Sequence, residues 1–220
     1  MRVVVTAGPT REHLDPVRFL SNPSTGKMGF AIAAEAARRG HEVILVSGPV
    51  ALKTPKGVAR INVVSALEML AAAQAAVNAD DVVFIATAAV ADWRPAKYSE
   101  KKLKKQQMSG VLELVRNPDI LKTLNSDRRK APHSLRLVGF AAETDDVLKE
   151  AARKCREKGL DFIVANDVTK QGCGFGTDTN KVTLVFPDGE TKAFPMMSKR
   201  MVARRILVQI ESLQSTNTAI

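Results

Sequence analysis

Residues 2–39, RVVVTAGPTREHLDPVRFLSNPSTGKMGFAIAAEAARR, contain the segment that decides the fold. The β-branched apolar run at its start predicts a buried strand over 3–7, and its alanine-rich end predicts a helix over 26–39. The polar connection between them, residues 8–25, is about three times as long as usual. Glycines at the helix start expose backbone N–H groups at the positive end of the helix dipole. This unit therefore predicts an α/β fold with an anion site at the helix start.

The helix start matches neither of two familiar phosphate-binding patterns. A P-loop would need glycine where Ser21 stands and Ser or Thr where Met28 stands. The dinucleotide fingerprint G-x-G-x-x-G fails because Pro9 follows the only glycine of the first loop. An NAD site also needs an acid at the end of the second strand, where Ser47 stands. Any phosphate is therefore held in another way.

Each polar residue before this helix also has a structural interpretation. Ser24 or Thr25 is expected to cap the helix, whether or not an anion binds there. Asn22 precedes Pro23, and an asparagine in such a turn usually bonds its own backbone. By itself, Asn22 would be interpreted as structural.

Short apolar runs alternate with helical patterns along the rest of the chain. Such strands, each followed by a helix, indicate parallel strands buried on both faces. The turn sequence PDGE at 187–190 adds an antiparallel edge. We predict one domain over 1–220, an α/β fold with a doubly wound, mostly parallel, Rossmann-like sheet. The remaining predicted strands cover 43–47, 60–64, 82–86, 136–140, 162–165 and 182–186, and the helices cover 66–78, 119–125, 145–158 and 198–212.

Composition narrows the class of protein. The formal net charge of +10 predicts anionic partners. No apolar run is long enough to span a bilayer, and the chain opens on a strand rather than on a leader sequence, so we expect a cytoplasmic protein with no membrane partner. Cys155 and Cys173 lie far apart and the three histidines are scattered, which predicts neither a disulfide framework nor a zinc site.

Two further stretches follow a strand end, where such sheets bind ligands. In ATAAVADWRP, residues 86–95, small residues let a ligand lie against backbone, and Asp92 could hold Mg²⁺ or a ribose, or be a plain surface acid. An insertion follows at about 94–116 and carries the lysine-rich run KKLKK at 101–105. That run could bind a triphosphate, could bind nucleic acid with Trp93 and Tyr98 stacking, or could be a solvated loop. With only 5% aromatic residues, no nucleic-acid partner is expected.

Lys154 and Lys158 lie four residues apart near the end of the predicted helix 145–158. Lysines at a helix end complement its dipole, which explains both residues without a ligand.

Taken together, these stretches resemble one family in order and over nearly the whole chain. The chain is similar to phosphopantothenoylcysteine synthetase, the ligase domain of the bacterial coenzyme A biosynthesis flavoprotein. The resemblance rests on eight collinear blocks, the first of which spans both the strand and its loop: VVVTAGPTREHLDPVRFLSN, STGKMGFAIA, LVSGPV, AAVADWRP, KLKK, NPDIL, VGFAAET and FIVANDV.

The resemblance implies a reaction and its partners. The family ligates 4′-phosphopantothenate to L-cysteine with a nucleoside triphosphate, usually CTP, and Mg²⁺, through an acyl-cytidylate that releases pyrophosphate and then CMP. It implies a homodimer whose active sites draw on both subunits, with the insertion as interface arm and flap. The flavin-dependent decarboxylase that is fused to this domain in the bifunctional protein has no counterpart here. We therefore expect no flavin in this chain, and a decarboxylase that is separate or in a missing part of a longer chain.

The resemblance also implies residue roles. Asn22 would interact with the acyl-nucleotide, and Lys102, the first lysine of KLKK, would help to form it. Arg18 is a candidate for the substrate phosphate, and Ser24 and Gly26 would help to seat phosphate. Asp92 is a tentative metal ligand. The implied nucleotide site comprises Ala86, Thr87, Ala88, Asp92, Lys102, Asn117, Pro118, Asp119, Ile120, Phe140, Lys154 and Lys158.

The chain departs from the family in two places. The first loop commonly reads TAGGT, and Pro9 replaces its second glycine, which would stiffen that backbone. The flap between KLKK and NPDI is a few residues shorter than in some relatives. Three alternatives stay open: an ATP-using version of the same ligase, an NAD(P)-dependent oxidoreductase on the same sheet, and a basic nucleic-acid-binding module.

Overall fold

The computed structural model describes residues 1–107, 110–130, 134–143, 146–167, 172–174 and 176–217. The strands are β1 (Arg2–Ala7), β2 (Arg11–His13), β3 (Phe19–Ser21), β4 (Glu42–Ser47), β5 (Val58–Asn62), β6 (Val82–Ala86), β7 (Trp93–Pro95), β8 (Leu114–Arg116), β9 (Leu135–Glu143), β10 (Phe162–Asp167), β11 (Thr179–Asn180), β12 (Val182–Val185), β13 (Thr191–Ala193) and β14 (Met197–Ser198). The helices are α1 (Lys27–Arg38), α2 (Ala66–Ala76), α3 (Ile120–Arg128), α4 (Val147–Lys158) and α5 (Lys199–Asn217), with a 3₁₀ turn at Lys105–Gln107.

The central sheet has eight strands in the order β5-β4-β1-β6-β9-β10-β12-β13. The first six run parallel, and β12 and β13 form an antiparallel edge. Strand order reverses between β1 and β6, which is the point where open α/β sheets bind ligands at their carboxyl edge. The predicted doubly wound, mostly parallel sheet with an antiparallel edge is confirmed.

Helices cover both faces of the sheet because its central strands are apolar on both sides. One core joins the sheet to α1 and α5 and includes Phe30 and Ile206. The other joins it to α2, α3 and α4 and includes Met69, Leu124 and Cys155. The central strands β1 and β6 are buried, with Val3–Val5 and Val82–Ile85 at 0% exposure, so a site can form only in the loops at the strand ends. No helix of the described residues is long and apolar enough to cross a membrane.

The connection 8–25, predicted as a loop, contains the hairpin β2–β3. Within the connection, Ser21 Oγ donates to Thr10 O at 2.7 Å. Two hydrogen bonds hold it to the chain that follows β5: Arg11 N donates to Val64 O at 2.8 Å, and the buried Glu12 accepts from Ala66 N at 2.9 Å. These partners come from distant parts of the chain, so the local pattern could not predict the hairpin. It lies on the carboxyl edge of the sheet as a fixed wall.

The insertion at 94–116 is closed at its base by an antiparallel pair, β7 with β8. Ser99 N donates to Leu14 O at 2.9 Å, and Leu103 N donates to Asp15 Oδ2 at 3.1 Å. The insertion is therefore an arm attached to the first hairpin. Met108 and Ser109 lie outside the described residues.

Several predicted boundaries were wrong by a few residues. Strand β5 covers 58–62 rather than 60–64, because β4 ends at Ser47 and offers no further partner in that register. Strand β9 runs on to Glu143, and helices α3 and α5 continue past their predicted ends. Helix α1 has Gly26 at its N-cap, with φ of 77°, and no side-chain cap. The expected cap from Ser24 or Thr25 is therefore absent, since a left-handed glycine already turns the chain into the helix.

Candidate active site

Two adjoining cavities open at the carboxyl edge of the sheet, around the point where strand order reverses. The larger cavity, of about 250 Å³, lies among the ends of β1 and β6 and the starts of α3 and the arm. The smaller cavity, of about 70 Å³, lies between the start of α1 and the ends of β9 and β10. The Phe140 side chain lines both, so the cavities are neighbours across one ring.

The floor of the larger cavity is backbone that follows β6, and the loop after β1 pairs with it. Ala89 N donates to Gly8 O at 2.9 Å, and Thr10 N donates to Ala89 O at 3.3 Å. Pro9 forms an isolated bridge with Ala89, so this proline lies inside the pairing of the two loops. A Cβ on Gly48 would lie 1.8 Å from Pro9 O, and glycine is therefore required beside the proline.

Threonine side chains extend this pairing along the cavity wall. Ala91 N donates to Thr10 Oγ1 at 3.0 Å, Ala88 N donates to Thr6 Oγ1 at 3.3 Å, and Thr87 Oγ1 donates to Thr6 O. These hydrogen bonds fix residues 86–91 in place. The small alanine side chains of this segment leave its backbone open to a flat ligand. The predicted residues Ala86 and Ala88 line the larger cavity, whereas Thr87 lines the smaller one.

Asn22 supports this wall without lining either cavity. Its Nδ2 donates to Ala89 O at 3.1 Å, across 67 positions of sequence. The side chain is half-buried, so it bonds a distant loop rather than its own turn. The purely local interpretation of Asn22 is wrong.

The opposite wall of the larger cavity comes from the segment before α3. Asn117 Nδ2 donates to Ala91 O at 2.8 Å, and Arg94 Nη1 donates to Asn117 Oδ1 at 3.0 Å. This amide therefore joins the base of the arm to the first wall. Pro118 and Ile120 line the cavity beside it.

Asp119 and Lys158 form the charged end of the larger cavity. Asp119 is the N-cap of α3, with Oδ1 accepting from Lys122 N at 3.1 Å. Its Oδ2 pairs with Lys158 Nζ at 2.9 Å. Lys158, at the end of α4, thus reaches the cavity from a neighbouring helix, while Lys154 on the same helix is half-buried and does not line it.

The smaller cavity begins at the first turn of α1. Ser24 and Gly26 line it, and Ser24 Oγ accepts from Gly26 N at 3.4 Å. A Cβ on Gly29 would lie 2.4 Å from Thr87 Oγ1 and 2.6 Å from Ala7 Cβ, so this turn packs directly on the strand ends. The N–H groups of a first helical turn and the helix dipole together suit an anion.

Two lysines that the sequence did not single out hold the far wall of the smaller cavity. Lys27 Nζ pairs with Asp178 at 2.8 Å and donates to Gly176 O at 2.7 Å. The buried Lys199 donates to Gly174 O at 3.2 Å and to Thr177 O. Burial, assisted by the charge of Lys27, lowers the pKa of Lys199. Both lysines fasten the segment before β11, and nothing local in sequence marks that function.

Two buried asparagines complete the smaller cavity and were also missed. Asn180 Oδ1 accepts from Gly174 N at 3.3 Å. Asn166, on β10 beside Ala142 of β9, is 8% exposed, and its buried Oδ1 accepts no hydrogen bond from any described residue. An asparagine at the end of a buried strand, in the stretch FIVAND, was the available signal.

Arg18 and Lys102 lie outside the two cavities as far as the described residues define them. Arg18 Nη2 donates to the buried Asp15 at 2.6 Å and to Leu103 O at 2.8 Å. Hydrogen bonds from Arg18 are the main cause that holds the pKa of Asp15 well below its usual range. Lys102 is exposed on the arm, next to the residue that Arg18 and Asp15 fasten.

The larger cavity suits a metal ion that comes with a phosphorylated substrate. Among the described residues no group of three His, Cys, Asp or Glu side chains converges. Asp92 lines the cavity with an exposed carboxylate, while both oxygens of Asp119 are engaged. Mg²⁺ commonly binds through one or two carboxylates, waters and substrate phosphates, and a single carboxylate fits that pattern.

Comparison with known proteins identifies close relatives. Residues 1–213 match the family model described as the DNA/pantothenate metabolism flavoprotein C-terminal domain. The coenzyme A biosynthesis bifunctional protein CoaBC of Bacillus subtilis (strain 168) is 51% identical over 212 residues, covering 96% of this chain and 51% of that protein. CoaBC of Escherichia coli (strain K12) is 47% identical over 213 residues, with 96% and 51% covered. The chain therefore spans about half the length of these relatives.

Solved structures of other proteins have the same fold as this chain. The crystal structure of the C-terminal domain of CoaBC is 46% identical and superposes with a TM-score of 0.80, covering 98% of this chain and 96% of that one. A Cab2 variant in complex with phosphopantothenate-cysteine has a TM-score of 0.77 at 16% identity, with 99% and 89% covered, which shows a shared fold alone.

Proposed function

Because the chain belongs to the DNA/pantothenate metabolism flavoprotein C-terminal domain family, we propose that it is a ligase of coenzyme A biosynthesis. It joins 4′-phosphopantothenate to L-cysteine with CTP as co-substrate. The observation that carries the proposal is the pair of adjoining cavities at the carboxyl edge of the sheet. A two-step ligation needs an activating nucleotide and a second nucleophile side by side, and the shared Phe140 wall provides that arrangement.

The larger cavity is the proposed nucleotide site. Its flat backbone floor at 86–91 and the amide of Asn117 suit a base, and Lys158 brings a positive charge to the same cavity. Asp92 would hold Mg²⁺ together with the phosphates, and the ion would draw negative charge from them. Ser24 and Gly26, at the start of α1, would receive phosphate on the side of the smaller cavity.

In the first half-reaction, the carboxylate of 4′-phosphopantothenate attacks the α-phosphate of CTP. A C–O–P linkage forms, the bond to the β-phosphate breaks, and pyrophosphate leaves. We propose that Lys102 neutralises charge on the phosphates during this step. Its exposed place on the arm, beside the anchored Leu103, lets the side chain approach a bound nucleotide. Positioning and charge neutralisation are what such a step requires.

In the second half-reaction, the amine of cysteine attacks the acyl carbon and CMP leaves. Asn22 is the proposed support of the acyl-nucleotide at this stage. Its bond to Ala89 O places the amide at the edge of the floor on which the intermediate would lie. Arg18 would contact the phosphate of the pantothenate moiety, and its bonds to Asp15 and Leu103 O would hold it in place for that contact.

We further propose that the active unit is a homodimer. Several large apolar side chains on the hairpin β2–β3 and on the arm are exposed, which is costly in a monomer. They include Val17 at 58%, Tyr98 at 57% and Val111 at 80% exposure. The arm would then bring Lys102 toward an active site shared by two subunits.

A flavin-dependent decarboxylase, fused or separate, would use the product, since the relatives are bifunctional and this chain spans half of them.

The test is pyrophosphate release by the purified chain with 4′-phosphopantothenate, Mg²⁺ and either CTP or ATP, with and without cysteine. We expect release that requires 4′-phosphopantothenate, is faster with CTP, and continues past one turnover only with cysteine. Faster release with ATP would replace the proposed co-substrate and keep the ligase. No release with either nucleotide would contradict the ligase, and NADH binding would then test the oxidoreductase alternative.

A further inference from the structure

We propose that Asn166 binds the amine of the cysteine substrate, in the smaller cavity, by accepting a hydrogen bond from it. This inference rests on the proposed ligase function and adds the place from which the second nucleophile attacks. Its starting point is the buried Oδ1 of Asn166, which has no donor among the described residues although the side chain is only 8% exposed. A buried acceptor without a partner is unfavourable, so it points to a donor that arrives with a ligand.

Size separates the ligands of the two cavities. A water needs about 10–15 Å³ of such a cavity, so the smaller one, at about 70 Å³, holds the equivalent of about five to seven waters. A molecule of the size of cysteine fits that space, whereas a nucleoside does not. The larger cavity, at about 250 Å³, is the one that suits a base and ribose.

The donor and acceptor inventory distinguishes an amino acid from a phosphate. The start of α1 offers N–H donors, and the lysines of this wall, Lys27 and Lys199, are cations. These groups alone would favour any anion. A phosphate dianion, however, has no hydrogen to donate to Asn166 Oδ1, whereas the amine of cysteine does. An arrangement that satisfies both sets places a phosphate at the helix start and an amine at Asn166.

That arrangement is also the one the chemistry needs. In the acyl-nucleotide the reacting carbon is attached through one oxygen to the α-phosphate, so the attacking amine must bind next to the phosphate. The neutral amine forms the new C–N bond, the C–O bond to phosphate breaks, CMP leaves with the electron pair, and the amine loses one proton to solvent. The amide oxygen of Asn166 is too weak a base to take that proton, and its function is to orient the amine.

The experiment uses Asn166→Ala and Asn166→Asp in the full chain and separates the half-reactions. Without cysteine, we expect both variants to give the pyrophosphate burst of the wild type, within twofold. With cysteine, we expect Asn166→Ala to lower kcat/KM for cysteine about 10- to 100-fold, the range of one lost hydrogen bond to a charged or reacting group. Asn166→Asp keeps an acceptor oxygen, so we expect it to retain most of that activity.

The aspartate variant tests the opposite assignment. If Asn166 instead bound phosphate through Nδ2, Asn166→Asp would repel the anion and be worse than Asn166→Ala, and the burst would fall in both; that result would overturn the proposal. A cysteine kcat/KM within twofold of the wild type in Asn166→Ala would also overturn it. Asn125→Ala, equally buried at 8% exposure but in α3 and outside both cavities, controls for lost stability.

If the wild type itself releases no pyrophosphate with 4′-phosphopantothenate, the ligase proposal fails and takes this inference with it. If the wild type is active and only the Asn166 prediction fails, the ligase stands and the amine site is elsewhere. The two failures are therefore distinguishable in the same assay.

Discussion

The two cavities differ in how completely their polar groups are paired. In the larger cavity, Asn117 bonds the first wall and the arm, and Lys158 is paired with Asp119. In the smaller cavity, both lysines are engaged in holding a loop, but Asn166 Oδ1 has no donor among the described residues. The walls of the larger cavity thus form a frame of groups that bond one another, apart from Asp92, whereas the smaller cavity leaves one buried acceptor for a ligand.

From this difference we expect each cavity to serve one half-reaction. A frame whose groups already bond one another is suited to hold a nucleotide in one position while its α-phosphate is attacked. A cavity with an unused acceptor is suited to a small nucleophile that arrives later. Variants of the larger cavity and the arm should therefore affect activation, and variants of the smaller cavity should affect capture of the acyl group.

The largest expected effect is on the arm. Lys102→Gln should lower pyrophosphate release about 10²- to 10³-fold, with or without cysteine, because a positive group near the reacting phosphates is lost. The measurement is the pyrophosphate burst without cysteine. Lys104→Gln, equally exposed on the same arm, is the matched control and should stay near the wild type. When Lys102→Gln is supplied with preformed acyl-nucleotide and cysteine, it should still make product. If it does not, Lys102 acts in the second half-reaction as well as in the first.

The next effect concerns Asn22. Asn22→Asp removes the donor to Ala89 O and sets two oxygens against each other, so the wall that supports the intermediate should shift. We expect the acyl-nucleotide to form but its conversion by cysteine to slow about 10²-fold. Quenched-flow detection of the intermediate measures both quantities. Asn62→Asp, on the exposed edge strand, is the control, and a wild-type steady-state rate in Asn22→Asp would remove Asn22 from the mechanism.

A smaller effect is expected at the charged end of the larger cavity. Lys158→Gln removes the partner of Asp119 and leaves that carboxylate free to repel phosphate. We expect the KM for CTP to rise about tenfold, equivalent to about 1.4 kcal/mol, with the KM for cysteine unchanged. Lys149→Gln, exposed on the same helix, supplies the comparison. A change in the cysteine KM alone would reverse the assignment of the two cavities.

The smallest effect on activity is expected far from both cavities. Buried Glu35 is bonded by Arg38 and Arg39, and the Arg38 hydrogen bond is the main cause that lowers the pKa of Glu35 to about 2. The stability it contributes is present above about pH 4.5, its ordinary value, and is lost as pH falls toward 2. Glu35→Gln should therefore flatten the acid limb of a urea-unfolding series.

Both half-reactions of Glu35→Gln at neutral pH should match the wild type. Unequal losses in the two half-reactions would mean that general destabilisation can mimic the contrast between the cavities.

The fold was predictable because its signals are local. Apolar runs such as 3–7 and 82–86 are buried on both faces and can hardly be anything but central strands. The hairpin β2–β3 and the base of the arm were not predictable from pattern, since three-residue strands have too few positions to show a period. They are held by hydrogen bonds to residues that lie far away in sequence: Arg11 N of the hairpin donates to Val64 O, and Leu103 N of the arm donates to Asp15. A local sequence pattern does not show such partners.

The site divides in the same way. Most residues of the larger cavity lie in two short segments, 86–92 and 117–121, whose motifs carried the resemblance. The smaller cavity combines the contiguous segment 24–29, whose Ser24 and Gly26 the sequence singled out, with residues that come one at a time from other elements: Asn166 from β10, Asn180 from β11 and Lys199 from α5. A lone asparagine or lysine in such places has no distinguishing context until folding brings it to the others, which is why the sequence did not identify them.

The most direct test of the proposed order, activation first and capture by cysteine second, is to look for the covalent intermediate. The wild-type chain is mixed with 4′-phosphopantothenate, CTP and Mg²⁺ without cysteine, quenched in acid, and examined by mass spectrometry. We predict a phosphopantothenoyl-cytidylate, formed in step with pyrophosphate and up to about one per active site, that disappears when cysteine is added before the quench. Pyrophosphate release without this species, or a species that cysteine does not consume, would contradict the proposed order of activation and capture.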